Sequence, residues 1–291
     1  MNLKRVYFDY NIYDSLAKDR IHLPENYSQH FKIYVSVAHA EEFFNAADKN
    51  DSEKNNEYLK KLYALLTSEL NNSGVLNPTS TKIINQPEEF VDALQRVRKY
   101  DTRQSIEQDA NDSYEFQTKI FELFCSQDES VIYNSNLSSE DIWKRPEVKF
   151  ILANFREAVV TRNNSMFPNL LRNYSPNEAL LSTVNGYLEP FDLEQNIFKH
   201  EPPTFNKLEH LIEFLQGVLN CCGYNRDNKP RKVKSGVYDT EHAIYATYCD
   251  YFVTEDKKLA KRLDAIYYFL GLETRCLSFE QWCNKIKEET L

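Results

Sequence analysis

Four acidic residues stand where their surroundings point to chemistry. Asp9 closes the apolar run Val6-Tyr7-Phe8, and Asp256 follows Tyr251-Phe252-Val253-Thr254. Glu42 lies just inside a helix-like stretch that follows a second apolar run, and Asp239 opens a third such stretch, 256 − 239 = 17 residues before Asp256. Carboxylates gathered in one cleft repel one another, and a hard cation such as Mg²⁺ or Mn²⁺ is the usual remedy. Such ions orient and polarise a phosphodiester and lower the pKa of a bound water, so that hydroxide attacks in line. The expected chemistry is phosphodiester hydrolysis without a side-chain nucleophile. Plainer roles stand beside it. Asp239, ahead of Thr240-Glu241-His242, and Asp256, ahead of Lys257-Lys258-Leu259, are both good helix N-caps. Glu41 and Glu42 are adjacent, so on a helix they point about 100° apart and at most one faces a common site. For Asp9 the sequence requires no local capping duty.

These acids need strands and helices to hold them. The β-branched and aromatic run before Asp9 reads as a strand that turns into a helix at Tyr10. The run 32–37 reads as a second strand, passing at Ser36 into a helix whose apolar residues Val37, Ala40, Phe44 and Ala47 have helical spacing. From about 48 to 207 the pattern changes to long polar helices, expected at 57–70, 88–97, 105–124 and 139–160, separated by Asn, Ser and Pro breaks. Alternation then returns: helix 208–220, a basic loop, helix 239–249, strand 251–254, helix 257–270, strand 274–277 and a helix from Ser278. Strands alternating with helices predict an α/β fold with a parallel sheet covered on both faces, its site beyond the carboxyl ends of the strands. The expected organisation is a core of residues 1–47 and 208–291 carrying a helical insertion at 48–207.

Composition narrows the class. The chain has 291 residues, 42% of them hydrophobic and 27% charged, with only 6 glycines, as in a folded, helix-rich protein. No apolar run reaches the roughly 20 residues of a membrane helix, and Met1-Asn2-Leu3-Lys4-Arg5 leads straight into a strand, so a cytoplasmic protein without a membrane partner is expected. The six cysteines have no C-x-x-C spacing and read as free thiols in a reducing compartment. No histidine or cysteine pairing suggests zinc, and phosphate-binding glycine loops are absent. A net charge of −9 argues against a protein that coats nucleic acid by bulk charge, but not against an enzyme that touches a few phosphates. Two basic clusters flank the acids: Arg226, Lys229, Arg231, Lys232 and Lys234, then Lys257, Lys258, Lys261 and Arg262. Each is either a substrate contact or a solvated face. His39 and His242, beside the acids, are either phosphate donors or structural.

At the level of motifs the chain resembles the PIN-domain nucleases. Val6-Tyr7-Phe8-Asp9-Tyr10-Asn11 resembles their opening strand, closed by Asp-x-Asn. Ser36 through Glu42 looks like their second motif, a strand-end Ser six residues before the metal-site Glu, which selects Glu42 over Glu41. Asp239 through Ala246, then Phe252-Val253-Thr254-Glu255-Asp256, looks like the third and fourth motifs. The resemblance covers the first 47 and last 84 of the 291 residues. It implies a three-layer α/β/α sandwich in which Asp9, Glu42, Asp239 and Asp256 bind Mg²⁺ or Mn²⁺ and carry catalysis. Asn11 and Thr254 assist, with Asp250 as a further acid that either assists or caps a helix. Lys229, Arg231, Lys232, Lys234, Lys257 and Arg262 are the expected substrate contacts. The substrate implied is single-stranded RNA, cleaved to leave a 5′-phosphate. DNA as substrate, a catalytically silent RNA- or protein-binding scaffold, an antitoxin or other protein partner, and self-association all stay open.

Overall fold

Val6, Tyr7 and Phe8 are fully buried, which requires a strand covered on both faces. They form β1 (Lys4–Phe8), flanked by two parallel neighbours: β2 (Phe31–Ser36), with Val6 opposite Ile33, and β5 (Tyr251–Val253), with Phe8 opposite Val253. The structure is a computed structural model that describes residues 3–48, 53–78, 83–86, 90–99, 117–118, 121–122, 136–149, 151–152, 205–226 and 230–289. Beyond β2 lies β3 (Val75–Pro78), also parallel, and then β4 (Ile83–Gln86), an antiparallel edge. Beyond β5 lies β6 (Arg275–Leu277), again parallel. The order β4-β3-β2-β1-β5-β6 gives an α/β fold with five parallel strands. The chain builds outward from β1 to one side and then returns to build on the other, so the strand order reverses between β1 and β5.

Helices follow the strands closely. α1 (Tyr10–Ala17) comes directly after β1 and buries Ile12, Tyr13, Leu16 and Ala17 along one face. α2 (Val37–Asp48) follows β2 without a break, and α3 (Glu53–Ser73) and α4 (Phe90–Lys99) bracket β3 and β4. In the later part come α5 (Phe205–Cys221), α6 (Pro230–Ala246), α7 (Lys257–Leu270) and α8 (Phe279–Glu289). Gly271 ends α7 in the left-handed region at φ 67°. Its N–H donates to Tyr268 O at 3.1 Å and that of Leu272 to Tyr267 O at 2.8 Å, closing off carbonyls the helix leaves unpaired. α8 starts with a reciprocal cap: Gln281 N donates to Ser278 Oγ at 3.2 Å, and Ser278 N to Gln281 Oε1 at 2.8 Å. Trp282, fully buried, packs edge-on against Phe8 with ring centroids 5.0 Å apart.

The chain divides into two compact units, one of Met1–Gln104, Tyr238–Ala260 and Glu273–Leu291, the other of Ser105–Val237 and Lys261–Leu272. The units differ from the expected core and insertion: α3, β3, β4 and α4 belong to the first although they fall within 48–207, and 208–237 and 261–272, expected in the core, belong to the second. β3 and β4 have four residues each, and only lateral pairing, such as Val35 opposite Val75, makes so short a segment a strand. In the second unit Trp143 donates its indole N–H to Ala265 O at 2.9 Å and stacks on Phe269 at 4.4 Å. Of the helices expected at 105–124 and 139–160, most residues lie outside those described. Those described are helical at 117–118, 121–122, 146–149 and 151–152, with a 3₁₀ turn at Asp141–Lys144.

The segment before Asp239 also differs from the expected loop. α6 opens at Pro230, so Asp239 lies in mid-helix rather than at its start, and Arg231, Lys232 and Lys234 are on the helix rather than in a loop. Proline fits the first helical position because its missing N–H would go unbonded there and its φ is preset. Lys229 lies outside the described residues.

Candidate active site

Several of the candidate side chains meet where the strand order reverses, at the carboxyl ends of β1 and β5, the place where open parallel sheets put their crevice. Asp9 leaves β1 with its N–H bonded to Val253 O at 2.9 Å, which locks the ends of the two strands together. It occupies the N-cap position of α1, yet its carboxylate does not cap. Instead Oδ2 accepts from Thr254 Oγ1 at 2.6 Å and from Asn11 Nδ2 at 2.5 Å. Thr254, buried, also accepts from Asn11 Nδ2 at 3.0 Å and from the N–H of Asp256 at 3.1 Å. Asn11 Oδ1 accepts the N–H of Glu255 at 3.3 Å. The two residues expected to assist thus tie Asp9 to the turn that carries Asp256.

Asp9 is only 4% exposed. Burial, with the nearby charge of Glu42, pushes its carboxyl up to about 6, against the pull of His242 and the Thr254 hydrogen bond. Glu42 Oε2 accepts from His242 Nε2 at 2.7 Å. His242 Nδ1 lies 2.7 Å from Tyr7 Oη, which lies 2.6 Å from Ser36 Oγ. Burial disfavours the charged imidazole of His242, but the Glu42 bond and the charges of Glu42, Asp9 and Glu41 outweigh it, and its pKa is raised. His39, equally buried, is pushed the other way by burial and by His242, well below the ordinary value. Its Nδ1 accepts the N–H of Ser36 at 3.0 Å, so its proton sits on Nε2, which donates to Phe8 O at 2.8 Å.

The other predicted residues are distributed unevenly. Glu41 is raised chiefly by burial, whereas Glu42 is the residue whose charge reaches Asp9. Asp256 caps α7, Oδ1 accepting from Lys258 N at 2.9 Å and Leu259 N at 3.0 Å. Asp239 is half-buried in α6, one turn before His242. Asp250 is elsewhere: it bonds Arg5 N at 2.7 Å and the Arg5 guanidinium at 3.1 Å, at the start of β1. Four residues of strand, about 13 Å, separate Arg5 from Asp9, so Asp250 clamps the opposite end of the sheet and does not assist the site. Arg262 is 2% exposed and donates to Asn225 O at 2.6 Å within the second unit. It sits on the buried face of α7 with Leu259 and Ile266, which removes it from the substrate contacts, while Lys257 is exposed in the first turn. The side chains of Arg231, Lys232 and Lys234 lie outside the described residues.

Both histidines are too deeply buried to reach a phosphate in solution, and their partners lie within the fold. Tyr7 is the participant that the sequence reading passed over. Its signal is alternation: Val6 and Phe8 enter the apolar cluster with Ile12 and Trp282, and Tyr7 must then face the other way, with a hydroxyl that needs a partner.

Among the described residues no group of three or more His, Cys, Asp or Glu side chains is arranged to hold a metal ion. Mg²⁺, however, is commonly held by one or two carboxylates, with water and substrate phosphate completing its shell. Asp9 and Glu42 suit that mode: both are oxygen donors, the charge of Glu42 acts on Asp9, and no side chain of the described residues bonds Asp9 Oδ1 or Glu42 Oε1. Comparison with protein-family models, curated proteins and solved structures found no match for the chain.

Proposed function

We propose that this chain is a Mg²⁺- or Mn²⁺-dependent nuclease of the PIN-like kind, hydrolysing phosphodiester bonds of single-stranded RNA. One observation carries the reading: a buried carboxylate, Asp9, held without capping its helix at the reversal point of a parallel sheet, where burial and the charge of Glu42 raise it to about 6. A carboxylate kept in such surroundings gains most from a cation. Asp9 and Glu42 are its first ligands, and the motif resemblance adds Asp239 and Asp256, which form no ready ligand group with them among the described residues. The bound cation would supply an activated water and charge neutralisation at the phosphate. The chain's own part is positional: Thr254 and Asn11 hold Oδ2 of Asp9 and leave Oδ1 without a side-chain partner among the described residues, and burial of Asp9 excludes bulk water. The reversed strand order also supports the α/β/α sandwich, since right-handed crossovers to opposite sides of β1 put helices on both faces.

A silent RNA- or protein-binding scaffold draws on a specific observation too, because Asp256 already serves as a helix cap and no three acids form a ligand group among the described residues. One experiment separates the two. The protein is incubated with labelled single-stranded RNA and DNA oligonucleotides, with Mn²⁺, with Mg²⁺ or with chelator, beside Asp9→Asn. Cleavage of RNA that needs metal and Asp9, leaving 5′-phosphates, is expected. Cleavage of DNA alone moves the substrate, and binding without cleavage under every metal condition supports the scaffold.

A further inference from the structure

Beneath the carboxylates lies a buried polar chain that the proposed chemistry does not use. It runs from Glu42 Oε2 to His242 Nε2 (2.7 Å), from His242 Nδ1 to Tyr7 Oη (2.7 Å), and from Tyr7 Oη to Ser36 Oγ (2.6 Å). Ser36 Oγ accepts the N–H of Ala38 at 3.2 Å, so the chain ends on backbone where β2 passes into α2. His39 braces it from the side, its ring 4.7 Å from that of His242 and nearly perpendicular, and its Nε2 bonded to the last carbonyl of β1. His242 and Tyr7 are at most 1% exposed. Burying a hydroxyl and two imidazoles is unfavourable unless all are bonded, and here each is.

We propose that His242 is a positioning residue for Glu42: anchored through Tyr7 and Ser36 to the strand ends that carry Asp9, it holds Glu42 Oε2 and presents Oε1 to the cation. The inference rests on the nuclease reading above. It requires only an Nε2–H donor, which neutral and protonated imidazole both provide. A carboxylate on a long, three-bond side chain otherwise explores several rotamers, and fixing one of its oxygens restricts the other to a small arc beside Asp9. Partners of this outer kind contribute about 10- to 100-fold to metal affinity.

The geometry suggests a paired test. Gln at position 242 sets its amide nitrogen near the place of Nε2, whereas Asn reaches only the place of Nδ1. H242Q therefore keeps the donor to Glu42, and H242N keeps the Tyr7 contact while losing Glu42. Binding of Mn²⁺ to the full chain is measured by electron paramagnetic resonance of the free aquo ion, with thermal melting as the check on folding. H242N should bind Mn²⁺ about 10- to 100-fold more weakly than the native chain, and H242Q within about threefold of it. Native-like affinity in H242N, or equal losses in both variants, would overturn the positioning role. If the native chain itself binds no Mn²⁺, the nuclease reading falls first, a result distinct from unchanged binding in the variant. Should H242N fail to fold, Tyr7→Phe, which removes only the hydroxyl that steadies Nδ1, is read the same way: a severalfold loss supports the role and unchanged affinity refutes it.

Discussion

At the scale of single residues, Asp9 and the two histidines give the site a pH signature that can be worked out. The carboxyl of Asp9 titrates at about 6 in the folded chain against an ordinary 3.8, so the folded state holds its proton more tightly than the unfolded state. Stability therefore falls as pH rises through that window in metal-free protein. His242 acts in the same direction at higher pH: its raised pKa contributes stability that is present below its ordinary 6.5 and is lost as pH climbs through the folded value. His39 is opposite in sign, because the fold holds it neutral and its contribution is lost as pH falls below 6.5. The Asp9 part is isolated by difference. Asp9→Asn should leave the metal-free protein about 1–3 kcal/mol more stable than the native chain near pH 7, with the gap closing toward about pH 4. Chemical denaturation across that range in chelator measures it, and a gap that does not change with pH would contradict the burial of Asp9 as a charged group.

The elements raise a question of divided labour at the start of α7. Asp256 caps that helix through Lys258 N and Leu259 N, and the same residue is proposed to serve the cation. The two roles respond differently to substitution. Asp256→Ser retains a good N-cap and should leave stability within about 0.5 kcal/mol, whereas Asp256→Ala should lower it by about 1 kcal/mol. Cleavage should be lost in both, because neither supplies a carboxylate. Full activity in Asp256→Ser would reduce the residue to its cap. The turn is well supported on the other side, where Glu255 Oε1 accepts the N–H of Phe279 at 3.1 Å at the start of α8. That contact keeps the loop fixed while position 256 is varied.

For the whole molecule, electrostatics decides how a chain of net charge −9 could hold a polyanion. The binding must come from local positive charge, and the densest is the segment of Lys229, Arg231, Lys232 and Lys234, which leads along α6 toward Asp239 in sequence. Its lysines and arginines offer charge without an aromatic platform, so they would grip the backbone rather than read bases. Neutralising all four should weaken binding by a similar factor for all RNA sequences. Each lost contact should flatten the logarithmic salt dependence by about 0.7. Affinity titrations over a series of salt concentrations test this, and an unchanged slope would make the segment a solvated surface. Among the described residues no helix is long and apolar enough to cross a membrane.

Much of this arrangement was legible in the chain itself. The run before Asp9 and the runs 32–37, 251–254 and 274–277 marked four of the five parallel strands, and α7 was bounded as observed, because periodicity and end signals act over a few neighbouring residues. The same local signals put Asp9 and Asp256 just past strand ends and Glu42 in the helix that follows β2. They failed where structure depends on distant partners. β3 and β4 are strands because of lateral pairing; Asp239 is interior to α6, whose start at Pro230 local reading set too late; and Arg262 is buried by what packs on α7. Asp250 was drawn away by Arg5, 245 residues distant in sequence. Tyr7, His242, Glu42 and Ser36 became one hydrogen-bonded chain only when β1, α6, α2 and β2 came together. A sequence fixes the period and polarity of each segment, but which buried polar groups satisfy one another is set by contacts between segments, and those exist only in the folded molecule.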